Sequence, residues 1–302
     1  MKDSYPKIGL VRFCWLLGIT RQAYYQRQWR QQAVSIEEQL VLQQVMQIRK
    51  YHRRMGGRKL YECLETFLLE HQIKIGRDAL FDLLATHGLL VRRKRRRVYT
   101  TQSFHWLRKY PNLIKEFTPT KPNQLWVSDI TFLRVPGGFL YISFITDVYS
   151  HKVVGYHIAE TLESVETLQA LIMAVRNENP SPDQLIHHSD RGVQYCCAEY
   201  VELMQKHSIN ISMTENGDPL ENSVAERING ILKSEYMDHY QINDMQEAKK
   251  CLEFAVHLYN KERPHLSLGM LKPSDVHQYQ LPFTPLWKKR TKKPVTVNQC
   301  QD

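Results

Sequence analysis

The sequence predicts an α/β domain with a sheet of mixed strand direction, preceded by an all-α region. Three observations carry that prediction. Apolar residues recur at helical spacing through the first ninety positions, Pro111, Pro119 and Pro122 then punctuate the chain, and beyond them short β-like runs alternate with helical ones. Charge divides at the same place. Residues 1–120 carry 23 Lys and Arg against 9 Asp and Glu, a balance of +14, and the remaining 182 residues carry 18 against 22, a balance of −4. A basic front half suits a polyanionic partner, and a back half richer in carboxylates suits cation binding.

In the front half, the apolar run from Val11 to Leu17 ends at Gly18-Ile19-Thr20 and is followed by Arg21-Gln22-Ala23-Tyr24-Tyr25. A glycine turn, a Thr N-cap and a polar, aromatic-bearing helix form a helix-turn-helix pattern in which Arg21 and Tyr24 are candidate DNA contacts. An ordinary helical hairpin with Tyr24 and Tyr25 as packing aromatics is the alternative. Three further helices are expected, over 36–51, 58–71 and 76–87. Leu60, Cys63, Leu64, Phe67 and Leu68 mark the buried face of the middle one, Leu80, Leu83 and Leu84 that of the last, and Gly88 its end. The predicted organisation is therefore a helix-turn-helix over 1–34 and a second three-helix unit over 35–91.

A basic linker over 92–120 follows. It opens with six consecutive cations, Arg92, Arg93, Lys94, Arg95, Arg96 and Arg97. Unopposed charges at that density repel one another, so a phosphate-contacting arm explains them better than a solvated linker does. A shorter basic stretch, Lys288 to Lys293, lies in a tail over 281–302. The six cysteines show no CxxC spacing, which reads as free thiols and argues against a zinc site. No signal-peptide pattern and no apolar run of membrane-spanning length is present, so the expected location is cytoplasmic and nucleoid-associated.

Residues 121–280 form the expected α/β core. Leu125–Leu133, Leu140–Tyr149 and Lys152–Ala159 read as strands, with Gly137-Gly138 turning the first hairpin. A helix over 164–176, a strand over 184–188, a helix over 198–207, a strand over 209–213 and helices over 223–236 and 245–260 complete it. Three acids stand out by placement. Asp129 interrupts the first, apolar strand, Asp190 follows the fourth, and Glu226 lies in the first turns of a helix beginning near Asn222. A carboxylate on a central strand is costly to bury unless it is paired or binds metal. On the Glu226 helix, Asn222, Asn229, Gly230 and Lys233 share its face. Gly230 is expected to allow close backbone approach and Lys233 to reach a phosphate. His187 and His188 read either as strand-end residues or as supports for the acids, and Arg191 either as a partner of Asp190 or as a phosphate contact.

Sixty residues separate Asp129 from Asp190, and 35 separate Asp190 from Glu226. With the stretches Trp126-Val127-Ser128-Asp129-Ile130-Thr131, His188-Ser189-Asp190-Arg191-Gly192-Val193-Gln194-Tyr195, Asn222-Ser223-Val224-Ala225-Glu226 continuing to Leu232-Lys233-Ser234-Glu235, and Tyr259-Asn260-Lys261-Glu262-Arg263-Pro264-His265, the chain resembles the second-reading-frame transposases of the insertion sequence three family. It departs from the family pattern at Arg227-Ile228 and at Glu221. The resemblance implies a ribonuclease-H-like core of the retroviral-integrase type. It implies catalytic and metal-binding roles for Asp129, Asp190 and Glu226, with two Mg²⁺ ions, replaceable by Mn²⁺, for DNA strand cleavage and strand transfer. Arg191, Asn222 and Lys233 join the candidate DNA contacts. The implied partners are the terminal inverted repeats and target DNA, further copies of the chain in at least a dimer on paired ends, and an upstream reading-frame product fused to it. A DNA-binding regulator that has lost catalysis is the competing function.

Overall fold

The computed structural model describes residues 9–91, 107–136, 138–182, 184–215 and 222–286. They fall into two compact units, one within 9–51 and 56–91 and the other within 52–55 and 107–286. The basic run at 92–97 and the one at 288–293 lie outside the described residues. No helix among the described residues is long and apolar enough to cross a membrane.

The first unit is all-helical: α1 (Leu10–Leu16), α2 (Arg21–Tyr51), α3 (Gly57–Glu70) and α4 (Arg77–Thr86). Gly18 takes a φ of 66° between α1 and α2, and Thr20 Oγ1 accepts the Ala23 N–H at 3.0 Å, the cap expected from the sequence. The expected boundary at 34/35 falls inside α2. That helix runs 31 residues because its sequence contains neither Gly nor Pro to stop it. Tyr24 packs edge-on against Phe13 with ring centroids 6.3 Å apart, which ties the hairpin together. Leu60, Leu64 and Leu68 of α3 and Leu80, Leu83 and Leu84 of α4 are buried along with Val41 and Val45 of α2. Past α4, Gly88 at φ 64° lets Leu89 N–H reach the Leu84 carbonyl at 2.7 Å, a Schellman ending.

The second unit is built on a five-stranded sheet of order β3-β2-β1-β4-β5, from β1 (Leu125–Val135), β2 (Gly138–Asp147), β3 (Val153–Ala159), β4 (Ile186–Ser189) and β5 (Asn210–Met213). The first three strands form an antiparallel meander, with Val135 paired to Gly138 at the hairpin; β4 and β5 join parallel to β1. One face is covered by α5 (Ser164–Glu178), α6 (Val193–Cys196) and α7 (Ala198–Lys206), with Trp126, Leu171, Ala174, Tyr195, Tyr200 and Met204 in the layer between. The other is covered by α8 (Ser223–Ile231) and α9 (Met245–Lys261), over Leu133, Ile142, Phe144 and Ile158. A last helix, α10, spans Pro273–Tyr279.

Gly155 on β3 is fixed by this packing, because a Cβ there would overlap the Ala170 carbonyl oxygen and Ala174 of α5. Both edge strands are covered by polar partners. Asn260 of α9 binds Val153 through both amide atoms, accepting its N–H at 3.0 Å and donating to its carbonyl at 2.9 Å. At the opposite edge, Met213 N–H donates to Pro111 O at 3.3 Å.

Candidate active site

The three acids meet where β1 and β4 part. Parallel pairing of these strands proceeds from Leu125↔Ile186 to Val127↔His188, and equal steps onward bring Asp129 and Asp190 level. Ile186 N–H donates to Gln124 O at 2.9 Å, so by two-residue steps Ser128 O is the acceptor that faces Asp190 across the ladder. Asn222 inserts at that point and donates to Ser128 O at 2.8 Å. Seven residues on, Asn229 Nδ2 donates to Asp129 Oδ2 at 2.8 Å. The front of α8 is thereby stapled to β1 at two places two turns apart, and Glu226 lies between them on the same face. Each staple contributes about 1 kcal/mol as a hydrogen bond.

Asp129 keeps some surface open to a cleft while most of its surroundings are protein. Its carboxylate is pushed up to about 7, first by burial, then by the charge of Asp190 and more weakly by that of Glu226; the Ile130 N–H at 2.9 Å and the Asn229 amide act in the opposite direction. Glu226, exposed, is also raised, by burial and by Asp190. Asp190 Oδ1 accepts the Gly192 N–H at 3.0 Å, and a Cβ on Gly192 would stand 3.0 Å from that oxygen. Among the described residues no three His, Cys, Asp or Glu side chains are drawn closely enough together to enclose a metal ion. The acids are instead mutually repelling neighbours at an open end of the sheet. A desolvated carboxylate beside two others, all with oxygen donors, is a site that a hard divalent cation would relieve.

Behind the acids, the two histidines of β4 point to opposite faces and both are fully buried. His187 Nε2 meets Ser128 Oγ at 2.7 Å and Tyr200 OH at 3.0 Å, and burial depresses its pKa to about 3. His188 Nδ1 lies 2.9 Å from Ser212 Oγ, which itself accepts the Leu113 N–H at 2.9 Å; burial brings its pKa to about 4. Both are neutral supports.

Two of the expected DNA contacts are otherwise engaged. Asn222 is 5% exposed and holds β1. The Lys233 ammonium donates to Phe132 O and sits 4.0 Å from the centroid of the Phe132 ring. Lys233 follows Asn229 by four residues on the helix face that packs on β1, and the helix widens into a π-turn over Leu232–Tyr236 at this point. Gly230 has nothing within 4 Å of where a Cβ would be, so it does not admit a close backbone approach. Arg21 opens α2, and Arg191 is half-buried beside Asp190.

The motif at 259–265 proves to be scaffold. Tyr259 OH donates to His151 O at 3.0 Å, Asn260 binds Val153, and Arg263 spans Glu235 with two 2.8 Å bonds while Nη1 meets His265 Nε2 at 2.9 Å. Arg263 thus clamps α9 to the π-turn that continues α8. The sequence signalled that Asn222 and Asn229 share a helix face with Glu226, but their partners on β1, and Glu235 as the partner of Arg263, are set by the three-dimensional register.

Two family models, both described as an integrase core domain, match residues 119–219 and 207–273. The insertion element IS600 uncharacterized 31 kDa protein of Shigella sonnei is 36% identical over 86% of this chain and 96% of its own length. The chain belongs to the integrase-core transposases of insertion sequences. Its class is that of DDE polynucleotidyl transferases. The transposase for insertion sequence element IS629 of Shigella sonnei is 29% identical over 75% of each chain. The HTLV-2 integrase catalytic core domain in complex with magnesium superposes with a TM-score of 0.43 at 19% identity, covering 52% of this transposase and 97% of that chain, too distant a likeness to add to the family match.

Proposed function

We propose that this transposase, of the insertion sequence three family, binds the terminal inverted repeats of its element and cleaves and joins DNA strands at the Asp129, Asp190 and Glu226 carboxylates. The observation that carries the reading is the convergence of the three acids at the open end of β1 and β4, with Asp129 raised to about 7 by burial and by the other two. Three carboxylates that repel one another cost stability, and a binding module has no use for that cost.

Asp129, with Asp190 and Glu226 on either side, would hold two Mg²⁺ ions. When bound, these supply charge neutralisation at the scissile phosphate and activation of the attacking and leaving oxygens. The chain's own residues set the geometry. Asn229 and the Ile130 N–H fix the Asp129 carboxylate, the Gly192 N–H fixes Asp190, and the staple at Asn222 fixes the start of the helix that carries Glu226. The nucleophile is water for cleavage and a DNA 3′-OH for joining, so no covalent enzyme intermediate is required. The +14 front half, with the run at 92–97, supplies the phosphate grip. The active form is at least a dimer, because two ends must be joined to one target.

Purified full-length protein incubated with labelled end duplexes and Mg²⁺ tests the reading. Cleaved and joined products are expected. Cleavage without joining identifies a nuclease, and saturating binding without any product identifies a regulator; either result replaces the proposal.

A further inference from the structure

Next to Asp129 and Asp190 lies a cleft of about 320 Å³, the size range of small-ligand sites, whose lining divides nearly evenly between polar and apolar groups. Phe132 of β1 and Tyr141 of β2 stand directly opposite each other in the antiparallel register, both half-buried. Leu162, just before α5, and Val193, at the start of α6, form the two lips, each 42% exposed. The lips are held together in advance: Gln194 Nε2, from the residue after Val193, donates to Leu162 O at 3.1 Å. A surface that exposes aliphatic and aromatic groups beside carboxylates calls for an occupant that is apolar there and polar at one end. The carboxylates would repel a phosphate in the body of the cleft. A nucleobase attached to a phosphate held at the acids fits both ends, since every base has a flat π-face and a short sugar link to its phosphate.

We propose that this cleft is a stacking subsite for one unstacked nucleobase of the DNA end, adjacent to the phosphate that is cut. The proposal rests on the reading of the site as the place of strand cleavage. A base drawn out of the duplex frees its backbone to present the phosphate to the acids, which a stacked, paired nucleotide at a groove wall does not do. Phe132 and Tyr141 supply the stacking floor, and Leu162 and Val193 close over the base. Lys233, held over the Phe132 ring, steadies that floor.

The test is a binding cycle with the full-length protein in Ca²⁺ in place of Mg²⁺, so that a divalent cation holds the phosphate at the acids while cleavage is suppressed. The probes are duplexes of the terminal repeats that flank the coding sequence, intact or with an abasic nucleotide at one of the positions around the cut. Loss of one base–aromatic stack weakens binding by about 5- to 160-fold. Tyr141→Ala is expected to lose that much on intact ends. An abasic nucleotide at one single position should cost wild type the same amount and cost Tyr141→Ala nothing further. Leu162→Ala, at an exposed lip whose loss leaves the core intact, should show the same non-additivity at the same position if Tyr141→Ala fails to fold. Additive losses at every position overturn the subsite. Additive losses with normal Mg²⁺-dependent cleavage refute the subsite alone, whereas absence of cleavage in wild type refutes the reading beneath it.

Discussion

Asp129→Asn should stabilise the metal-free transposase at alkaline pH while it removes the function of the site. Burial and the neighbouring acids push the folded-state carboxylate up to about 7 from the ordinary aspartate value of 3.8. Because the folded value is the higher one, the folded state binds the extra proton. Its stabilising effect is complete below pH 4 and is lost as pH rises through 7. At about 1.36 kcal/mol per pH unit, that loss amounts to about 4 kcal/mol by pH 8. An amide at this position has no charge to desolvate or to meet Asp190 and Glu226. It keeps one oxygen for the Ile130 N–H, and the Asn229 amide can rotate to accept from the new NH₂, because Asn229 Oδ1 has no hydrogen-bond partner. Urea unfolding in EDTA at pH 5, 6, 7 and 8 measures the effect. The variant should gain on wild type progressively across that series, by a few kcal/mol at the top. A difference that stays constant with pH would refute the claim that Asp129 is a desolvated carboxylate strained by its neighbours.

Other outcomes follow from the same geometry. Asn229→Ala and Asn222→Ala should each cost about 1–2 kcal/mol of stability, measured by urea unfolding, and lower the cleavage rate of bound ends more than the affinity for them; an unchanged rate removes them as positioning residues. Glu235→Leu strands the buried Arg263 guanidinium and should cost about 3–5 kcal/mol, visible as a drop in Tm. Gly155→Ala drives a methyl group into the α5 backbone and should destabilise the second unit by several kcal/mol, roughly the upper range for overpacking; a soluble protein with wild-type Tm contradicts the tight β3–α5 contact. Replacing the cations of residues 92–97 with Gln should weaken end binding and flatten its dependence on log salt, read from anisotropy titrations between low and moderate salt.

The strands and helices of the second unit were legible because their periods differ and their breaks are marked, as at Pro111 and at Gly138, where the first hairpin closes. The three acids were legible because each interrupts an apolar context. Less legible were features that depend on three-dimensional register. The sequence around Trp29 and Ile36 suggested two helices, yet without Gly or Pro the backbone continues as one. Lys233 was placed on the face of Glu226 and Asn229, but that face packs on β1, so its ammonium meets the Phe132 carbonyl. Asn222 read as a DNA contact because it is polar and shares a face with Glu226; only the parting of β1 and β4 reveals that the polar group serves Ser128. The same holds for Arg263, whose partner Glu235 lies 28 residues earlier in the chain.

The central claim is that Asp129, Asp190 and Glu226 perform the strand chemistry and leave DNA binding to the rest of the chain. It is tested most directly by the Mg²⁺-dependent cleavage rate of end duplexes at equal, saturating occupancy by wild type, Asp129→Asn, Asp190→Asn and Glu226→Gln. The account predicts bound complexes for all four and cleavage by wild type alone. Cleavage at the wild-type rate by any one of the three variants would contradict it.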